Sequence, residues 1–387
     1  MLYRLLKEIP VSILGFGAMR LPLVGGTEKP TDSFDPARTI DEEETARMIE
    51  YAIRYGVNYF DAAYNYHGGK SEVVLGKILK PHRDRVIIAT KLPVFLVKER
   101  GDFDRFLDEQ LRRLQTPCLD FYLLHGLNAK TWESSKGMDV LPFLDRAKSG
   151  GRVRHVGFSF HDTLAVFKEI ADAYDWTMCQ IQYNYLDEQY QAGKEGLKYA
   201  ASRGIGVAVM EPLRGGKLAR VPPTVERLLD SSVEKRRPAE WGLRWAWNHS
   251  EVGTVLSGMS TLDQVQENIR FAEEGRADSL SADDLAIVRR ARKAYRRLLK
   301  VDCTGCAYCM PCSSDVNIPM NFSLYNDVMT FSDPTGVMVY NAFMLPEQRA
   351  SACVDCGECE EKCPQHIPIR EELKKVHATL YRESSEG

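Results

Sequence analysis

The sequence predicts an α/β protein: a (β/α)8 TIM barrel of parallel strands followed by a small, mainly helical, cysteine-rich domain. Two observations carry this. Eight short apolar runs recur at residues 11–15, 57–60, 86–89, 119–124, 153–158, 178–181, 205–209 and 252–256. The stretches between them, such as 43–55 and 103–114, repeat their apolar residues at helical spacing. Eight such units in about 290 residues match a closed barrel better than an open sheet. The second observation is that eight of the ten cysteines fall in two tight runs near the C-terminus. The domains are therefore expected at residues 1–297 and 298–387.

Taken in order, the first strand opens into a segment at 23–39, rich in Gly, Pro, Asp and Thr, that reads as a loop. In a barrel of this kind functional groups project from the C-terminal strand ends. Those ends carry Asp61 after the second strand, Lys91 after the third and His125 after the fourth, with Tyr66 in the second loop. All four are proton-active. A lysine beside the tyrosine is expected to stabilise the phenolate and lower its pKa, with Asp61 holding the lysine charged and His125 bonding a substrate oxygen. Singly, each residue has a plain structural use. Jointly, at successive strand ends, they read as a proton donor for a carbonyl oxygen.

After the barrel, residues 283–300 form a helix with apolar positions at Val288, Ala291, Tyr295 and Leu298. Arg289, Arg290, Arg292, Lys293, Arg296, Arg297 and Lys300 fill its other faces. Such a face suits solvent, neutralisation of nearby anionic groups, or docking of an acidic electron carrier such as a ferredoxin or flavodoxin.

The cysteine runs read Cys303-x2-Cys306-x2-Cys309-x2-Cys312 and Cys353-x2-Cys356-x2-Cys359-x3-Cys363-Pro364. Zinc takes four ligands, usually as two separated pairs. Three cysteines at successive x2 spacing suit an iron-sulfur cube, and the x3-Cys-Pro ending is the bacterial ferredoxin signature. Two 4Fe-4S clusters are expected. In that pattern the fourth cysteine of each run ligates the other cluster, so the sets are Cys303, Cys306, Cys309 and Cys363, and Cys353, Cys356, Cys359 and Cys312. Cys312 departs from the pattern, following Cys309 by x2 and preceding Ser313. The insert between the runs, with Tyr325, Val328, Met329, Val339, Tyr340, Phe343 and Met344, reads as the core of a small helical domain. Cys118 and Cys179, outside the runs, sit among apolar residues and read as barrel core.

The bulk numbers narrow the class. A chain of 387 residues with net charge −3 and 44% apolar residues gives no general attraction for nucleic acid. Charges at Arg4, Lys7 and Glu8 interrupt any signal-peptide core, and no run approaches a membrane span. A cytoplasmic location, where thiolates stay available to metal, is expected.

The segments LGFGAMRLP (14–22), NYFDAAYNYHGGKSEVVLG (58–76), IATK (88–91), YLLHG (122–126), RHVGFS (154–159) and QIQYN (180–184) resemble the aldo-keto reductase superfamily. With the tail, the whole chain resembles its iron-sulfur subgroup. The resemblance implies a catalytic tetrad of Asp61, Tyr66, Lys91 and His125 that reduces carbonyls with a nicotinamide hydride. It also implies contacts to NADH or NADPH from Ala18 and Met19 after the first strand, and from Ser159 and Gln180 to the carboxamide. Met210 stands where the family often stacks an aromatic ring, and Phe160 stands where an asparagine is usual. Leu213, Gly216 and Lys217 match a pyrophosphate loop, while Ser260, Glu267 and Asn268 match the last nucleotide-binding unit. Ser260 or Thr261, with Asp263, marks a helix start suited to an anion. Gly258 and Gln264 replace the basic residues that hold a 2′-phosphate, which implies little preference for NADPH.

Three functions fit these residues. The first is an oxidoreductase moving a hydride between a nicotinamide and a carbonyl or alcohol, with the clusters linking it to one-electron carriers. The second is a nicotinamide-independent reductase fed through the clusters. The third is a non-enzymatic electron-transfer or redox-sensing protein on a barrel scaffold, against which the intact tetrad argues.

Overall fold

A computed structural model describes residues 1–26, 38–303, 308–363 and 365–382. Among them the chain divides into two compact units. One comprises residues 1–26, 38–220 and 232–285; the other comprises 221–231 and the described residues from 286 onward. The helix Ala282–Leu298 starts in the first and ends in the second.

Ten strands lie in the first unit. β1 (Tyr3–Leu6) and β2 (Ile9–Ser12) form an antiparallel hairpin, and β3 (Leu14–Gly17), β4 (Tyr59–Asp61), β5 (Ile87–Leu92), β6 (Leu119–Leu127), β7 (Val153–Phe160), β8 (Met178–Gln182), β9 (Gly206–Met210) and β10 (Val252–Ser257) follow. β3 to β10 close into a barrel in chain order, with β10 pairing β3, and every neighbour is parallel. This is the expected eightfold α/β barrel. Strand residues are buried almost throughout because helices cover the outside while side chains fill the inside.

One expectation is corrected. The first apolar run, 11–15, is two elements: Val11 belongs to the hairpin, and the barrel strand begins at Leu14. The hairpin turns at Lys7 and Glu8, with Lys7 left-handed at φ 58°. It lacks the Asn-Gly or Asp-Gly pair that marks such turns in sequence. Leu6 and Val11 join Tyr59, Phe121, Leu123 and Met178 in one apolar cluster. A Cβ on Gly206 would lie 2.7 Å from Leu6 Cα, and one on Gly253 would lie 2.8 Å from Leu5 O, so only glycine lets the hairpin seat there.

Two helices position the site. Lys70–Leu79 follows the Tyr66 loop, and Gly101–Arg113 precedes β6. Phe103, Phe106, Leu107 and Gln110 on the second are buried, at the 3- and 4-residue spacing of one helical face. The two backbones touch at Gly76, whose Cβ would lie only 2.3 Å from Arg113 O.

The second unit is mainly helical. Ile318–Phe331 and Ile369–Leu380 pack around Phe322, Tyr325, Tyr340, Met344, Leu373 and Val376, with Cys303, Cys309, Cys312, Cys353, Cys359 and Cys363 packed against that core. The aromatic insert is core only in part. Met329 and Phe343 are 41% and 64% exposed, since the helix Ile318–Phe331 buries one face and the π-helical turn Val339–Phe343 buries only Tyr340.

Candidate active site and cysteine cradle

The four proton-active residues converge. β4 ends on Asp61 and β5 presents Lys91, and the parallel register places them on adjacent strands. Lys91 Nζ donates to Asp61 Oδ1 at 2.7 Å and to Ala62 O at 2.7 Å. The same ammonium lies 5.3 Å from the centroid of the Tyr66 ring. That ring meets the His125 imidazole edge-on at 6.2 Å, and Phe95 closes the other side of His125 at 5.6 Å. Asp61 and Lys91 are buried, while Tyr66 and His125 keep partial exposure.

Electrostatics assign the states. Burial alone drives the Lys91 ammonium down, but Asp61 and the Tyr66 phenol outweigh it, and Lys91 is held charged above its ordinary pKa. Lys91 does lower the Tyr66 phenol, as expected, but desolvation raises it by more, and the net direction is up. Tyr66 therefore keeps its proton at neutral pH. His125 is pushed well below its ordinary value, first by burial and then by Lys91, so it is neutral.

Ser159, next to last in β7, pairs with Gln180 in β8, and both are buried. Ser159 Oγ accepts the Gly126 N–H at 2.7 Å, which leaves its own hydrogen to donate. Gln180 Nε2 donates to Met210 Sδ at 3.5 Å, and Gln180 Oε1 is buried without a partner. One donor and one orphaned acceptor fit a primary carboxamide. Phe160, by contrast, turns into the core and packs edge-on against Phe167 at 5.2 Å.

The remaining positions expected to contact a nucleotide follow the ends of β3, β9 and β10. Ala18 is buried, with Met19 beside it in a short 3-10 turn. Leu213, Gly216 and Lys217 lie in a loop where Gly215 and Gly216 adopt left-handed φ of 67° and 96°. Sequence reasoning passed over Arg20. Its guanidinium comes within 3.3 Å of where a Gly215 Cβ would stand, and its aliphatic stem lies 3.2 Å from the corresponding point on Gly258. It is a lone basic residue after the first strand, which is the only signal it leaves. Thr261, not Ser260, caps the last barrel helix, accepting from Gln264 N at 3.3 Å; Ser260 Oγ donates to Arg20 O at 2.8 Å. Gln264 Oε1 accepts the Ser260 N–H at 2.8 Å, Glu267 pairs with Arg237, and Asn268 donates to Ser257 Oγ at 3.0 Å.

In the second unit, Cys309, Cys312, Cys353, Cys356 and Cys359 line one small cleft, with Lys362 and Arg370 at its wall. Cys312 and Cys309 of the first run thus share this cleft with three cysteines of the second. These thiols are free of disulfides, and their soft donors on a shared cleft fit an iron-sulfur group. Cys303 and Cys363 border the same core. Cys306 and Pro364 lie outside the described residues, as does much of the 23–39 loop. Of the two outlying cysteines, Cys179 is buried and Cys118 is half-buried.

A barrel of eight parallel strands with a Lys-Asp pair, a tyrosine and a histidine gathered at one rim, in a chain that also carries a cysteine-rich unit, is the architecture of an oxidoreductase class. Residues 14–292 match the model of the aldo/keto reductase family, and residues 302–367 match the 4Fe-4S dicluster domain. The chain belongs to the aldo/keto reductase family, with a 4Fe-4S dicluster domain at its C-terminal end. It is similar to L-galactose dehydrogenase of Arabidopsis thaliana, 27% identical over 72% of this chain and 92% of that one. It is also similar to NADH-specific methylglyoxal reductase of Escherichia coli K12, 24% identical over 76% and 100%. Among solved structures, aldo-keto reductase AKR11C1 from Bacillus halodurans matches with a TM-score of 0.61 and 27% identity, over 75% of this chain and 96% of that one.

Proposed function

We propose that this oxidoreductase moves a hydride between a nicotinamide cofactor and a carbonyl/alcohol pair. The observation that carries the reading is the charged Lys91, fixed by Asp61 at 2.7 Å and set 5.3 Å from the Tyr66 ring. In reduction, Tyr66 donates its hydroxyl proton to the developing alkoxide, which is far more basic than a phenolate. The phenolate left behind faces the Lys91 ammonium, an attraction of about 3 kcal/mol at an effective dielectric near 20. Neutral His125 orients the carbonyl oxygen. In oxidation the same tyrosine, as phenolate, takes the alcohol proton. Ser159 and Gln180 hold the carboxamide by one donated and one accepted hydrogen bond. When bound, the nicotinamide supplies the hydride and the iron-sulfur groups supply one-electron transfer.

Cys303, Cys306, Cys309 and Cys363 would hold one 4Fe-4S cluster, and Cys353, Cys356, Cys359 and Cys312 the other. Two-electron hydride transfer needs no such relay, so the clusters connect the protein to a one-electron partner, with an acidic carrier the natural complement of the basic helix Ala282–Leu298. NADH is the favoured cofactor, because Gly258 and Gln264 offer a 2′-phosphate no charge; the name of the E. coli relative agrees.

The inward turn of Phe160 favours a second reading, in which nicotinamide is dispensable and the clusters feed a substrate directly. One experiment decides between them. Anaerobic protein is titrated with NADH, and deuteride transfer from 4-deuterated NADH to methylglyoxal and sugar carbonyls is followed by mass spectrometry. Saturable binding with deuterium in the product supports hydride transfer. Absence of binding, with dithionite-reduced clusters reoxidised by the carbonyl, replaces it with the second reading.

A further inference from the structure

A buried polar network lies behind the tetrad and is not used by the chemistry above. Its centre is Glu72, fully buried on the helix Lys70–Leu79. Glu72 Oε1 accepts from Thr90 Oγ1 and from Gln110 Nε2, each at 2.6 Å, and Oε2 accepts from Arg113 Nη1 at 3.2 Å. A buried carboxylate is costly unless paired and hydrogen-bonded, and an apolar residue would fill the space more cheaply. What the network grips explains its presence.

On one side, Gln110 Nε2 also donates to Lys91 O at 3.1 Å, while Tyr122 donates to Gln110 Oε1 at 2.9 Å and fixes the amide's orientation. This anchors the strand at the residue that carries the catalytic ammonium. On the other side, Arg113 Nη1 donates to Tyr64 O at 3.0 Å, and its guanidinium lies over the Tyr64 ring at 4.2 Å. A Cβ on Gly69, which is left-handed at φ 88°, would come within 3.2 Å of the same guanidinium. Tyr64 and Gly69 flank the loop that presents Tyr66. Glu109 completes the fork, accepting from Arg113 Nη2 at 2.7 Å and from the Tyr64 hydroxyl at 3.0 Å.

One guanidinium thus holds the start of the Tyr66 loop through Tyr64 O and lies against its end at Gly69, and the carboxylate that holds it is tied through Gln110 to the Lys91 backbone. We propose that Arg113, locked by Glu72, is a positioning residue that sets Tyr66 against Lys91. The inference rests on the proton-transfer role proposed for Tyr66. Planar fork geometry is what lysine cannot reproduce: it keeps the charge beside Glu72 but cannot reach Tyr64 O, Glu72 and Glu109 together. Displacing a catalytic group by about 1 Å lowers rate on the order of a hundredfold without weakening binding in proportion.

The test compares wild-type holoprotein with Arg113→Lys, with Glu72→Gln, and with Ile170→Val as a buried control remote from the site. Two readouts are taken: the kcat and KM of carbonyl reduction, and amide hydrogen exchange by mass spectrometry. For Arg113→Lys, kcat should fall tenfold to a hundredfold with KM and the NADH Kd within threefold. Exchange across residues 63–70 should quicken at least tenfold while the other loops stay unchanged. Ile170→Val should move neither. An Arg113→Lys protein with both kcat and loop exchange within twofold of wild type overturns the proposal, as does faster exchange spread evenly over the barrel. If the wild type reduces no carbonyl, the proposed function falls, while the exchange arm still decides whether Arg113 holds the loop. Should Arg113→Lys not fold, Glu72→Gln is read by the same criteria with a threefold threshold.

Discussion

Lys91 Nζ sits 2.7 Å from Asp61 Oδ1, a buried ion pair whose ammonium also faces the Tyr66 ring. Its value is directional. Asp61 keeps Lys91 charged and turned toward the place where a phenolate must form, and no solvent has to reorganise when it does.

Replacing Tyr66 by phenylalanine removes the acid and keeps the ring. Carbonyl reduction in a single turnover should slow by about 10²- to 10⁴-fold, the usual span for a lost general acid. NADH binding, titrated by fluorescence, should change less than threefold. A variant with near wild-type turnover would show that another group donates the proton.

Lys91→Met should be worse than inactive. It leaves Asp61 buried without its cation, and removing one partner of a buried pair costs about 3–5 kcal/mol. Urea unfolding followed by tryptophan fluorescence reads the barrel alone, since Trp132, Trp176, Trp241, Trp245 and Trp247 all lie in it. Asp61→Asn combined with Lys91→Met should recover part of that stability and none of the activity.

His67 predicts an acid transition. It is buried beside the Tyr66 loop, its Nε2 accepts the Leu21 N–H at 3.2 Å, and burial lowers its pKa to about 4. The folded pKa lies below the unfolded one, so the unfolded chain binds the proton first. The stabilisation is complete above about pH 6.5 and is lost as pH falls toward 4, in total about 3 kcal/mol. The urea midpoint of wild type should therefore drop more steeply across that window than that of His67→Gln. Parallel slopes would remove His67 as the cause.

Cys312 lines the same cleft as the second cysteine run. Anaerobically reconstituted protein should hold about eight irons, by the ligand arithmetic of two cubes. Cys312→Ser should disturb one cluster alone, seen as a change in one of two electron paramagnetic resonance signals after reduction. About four irons in the wild type would reduce the count to one cluster.

The basic helix Ala282–Leu298 leaves Arg289, Arg290, Lys293 and Arg297 exposed. Reduction of the clusters by a low-potential ferredoxin should slow as salt rises, because steering acts on association rate and weakens as the Debye length shortens. Arg290→Glu, Arg297→Glu should be slow even at low salt. Rates indifferent to both would leave the helix a solvated face.

Much of this was legible in the chain itself. Apolar runs at regular intervals specify a parallel barrel because strands buried on both faces admit little else, and fixed cysteine spacings specify a metal because few other uses demand them. Asp61, Tyr66, Lys91 and His125 could be read from strand ends, since the barrel puts every strand's C-terminal end on one rim. The tertiary structure decided what depends on contacts between distant residues. It turned Val11 into a hairpin that lacks an Asn-Gly turn, and it let burial of Tyr66 outweigh the lowering of its pKa by Lys91. It also gathered Glu72, Gln110 and Arg113 into one network. Each outcome is set by burial or by a three-dimensional neighbour, and periodicity along a chain encodes which face a residue takes, not which partner it meets there.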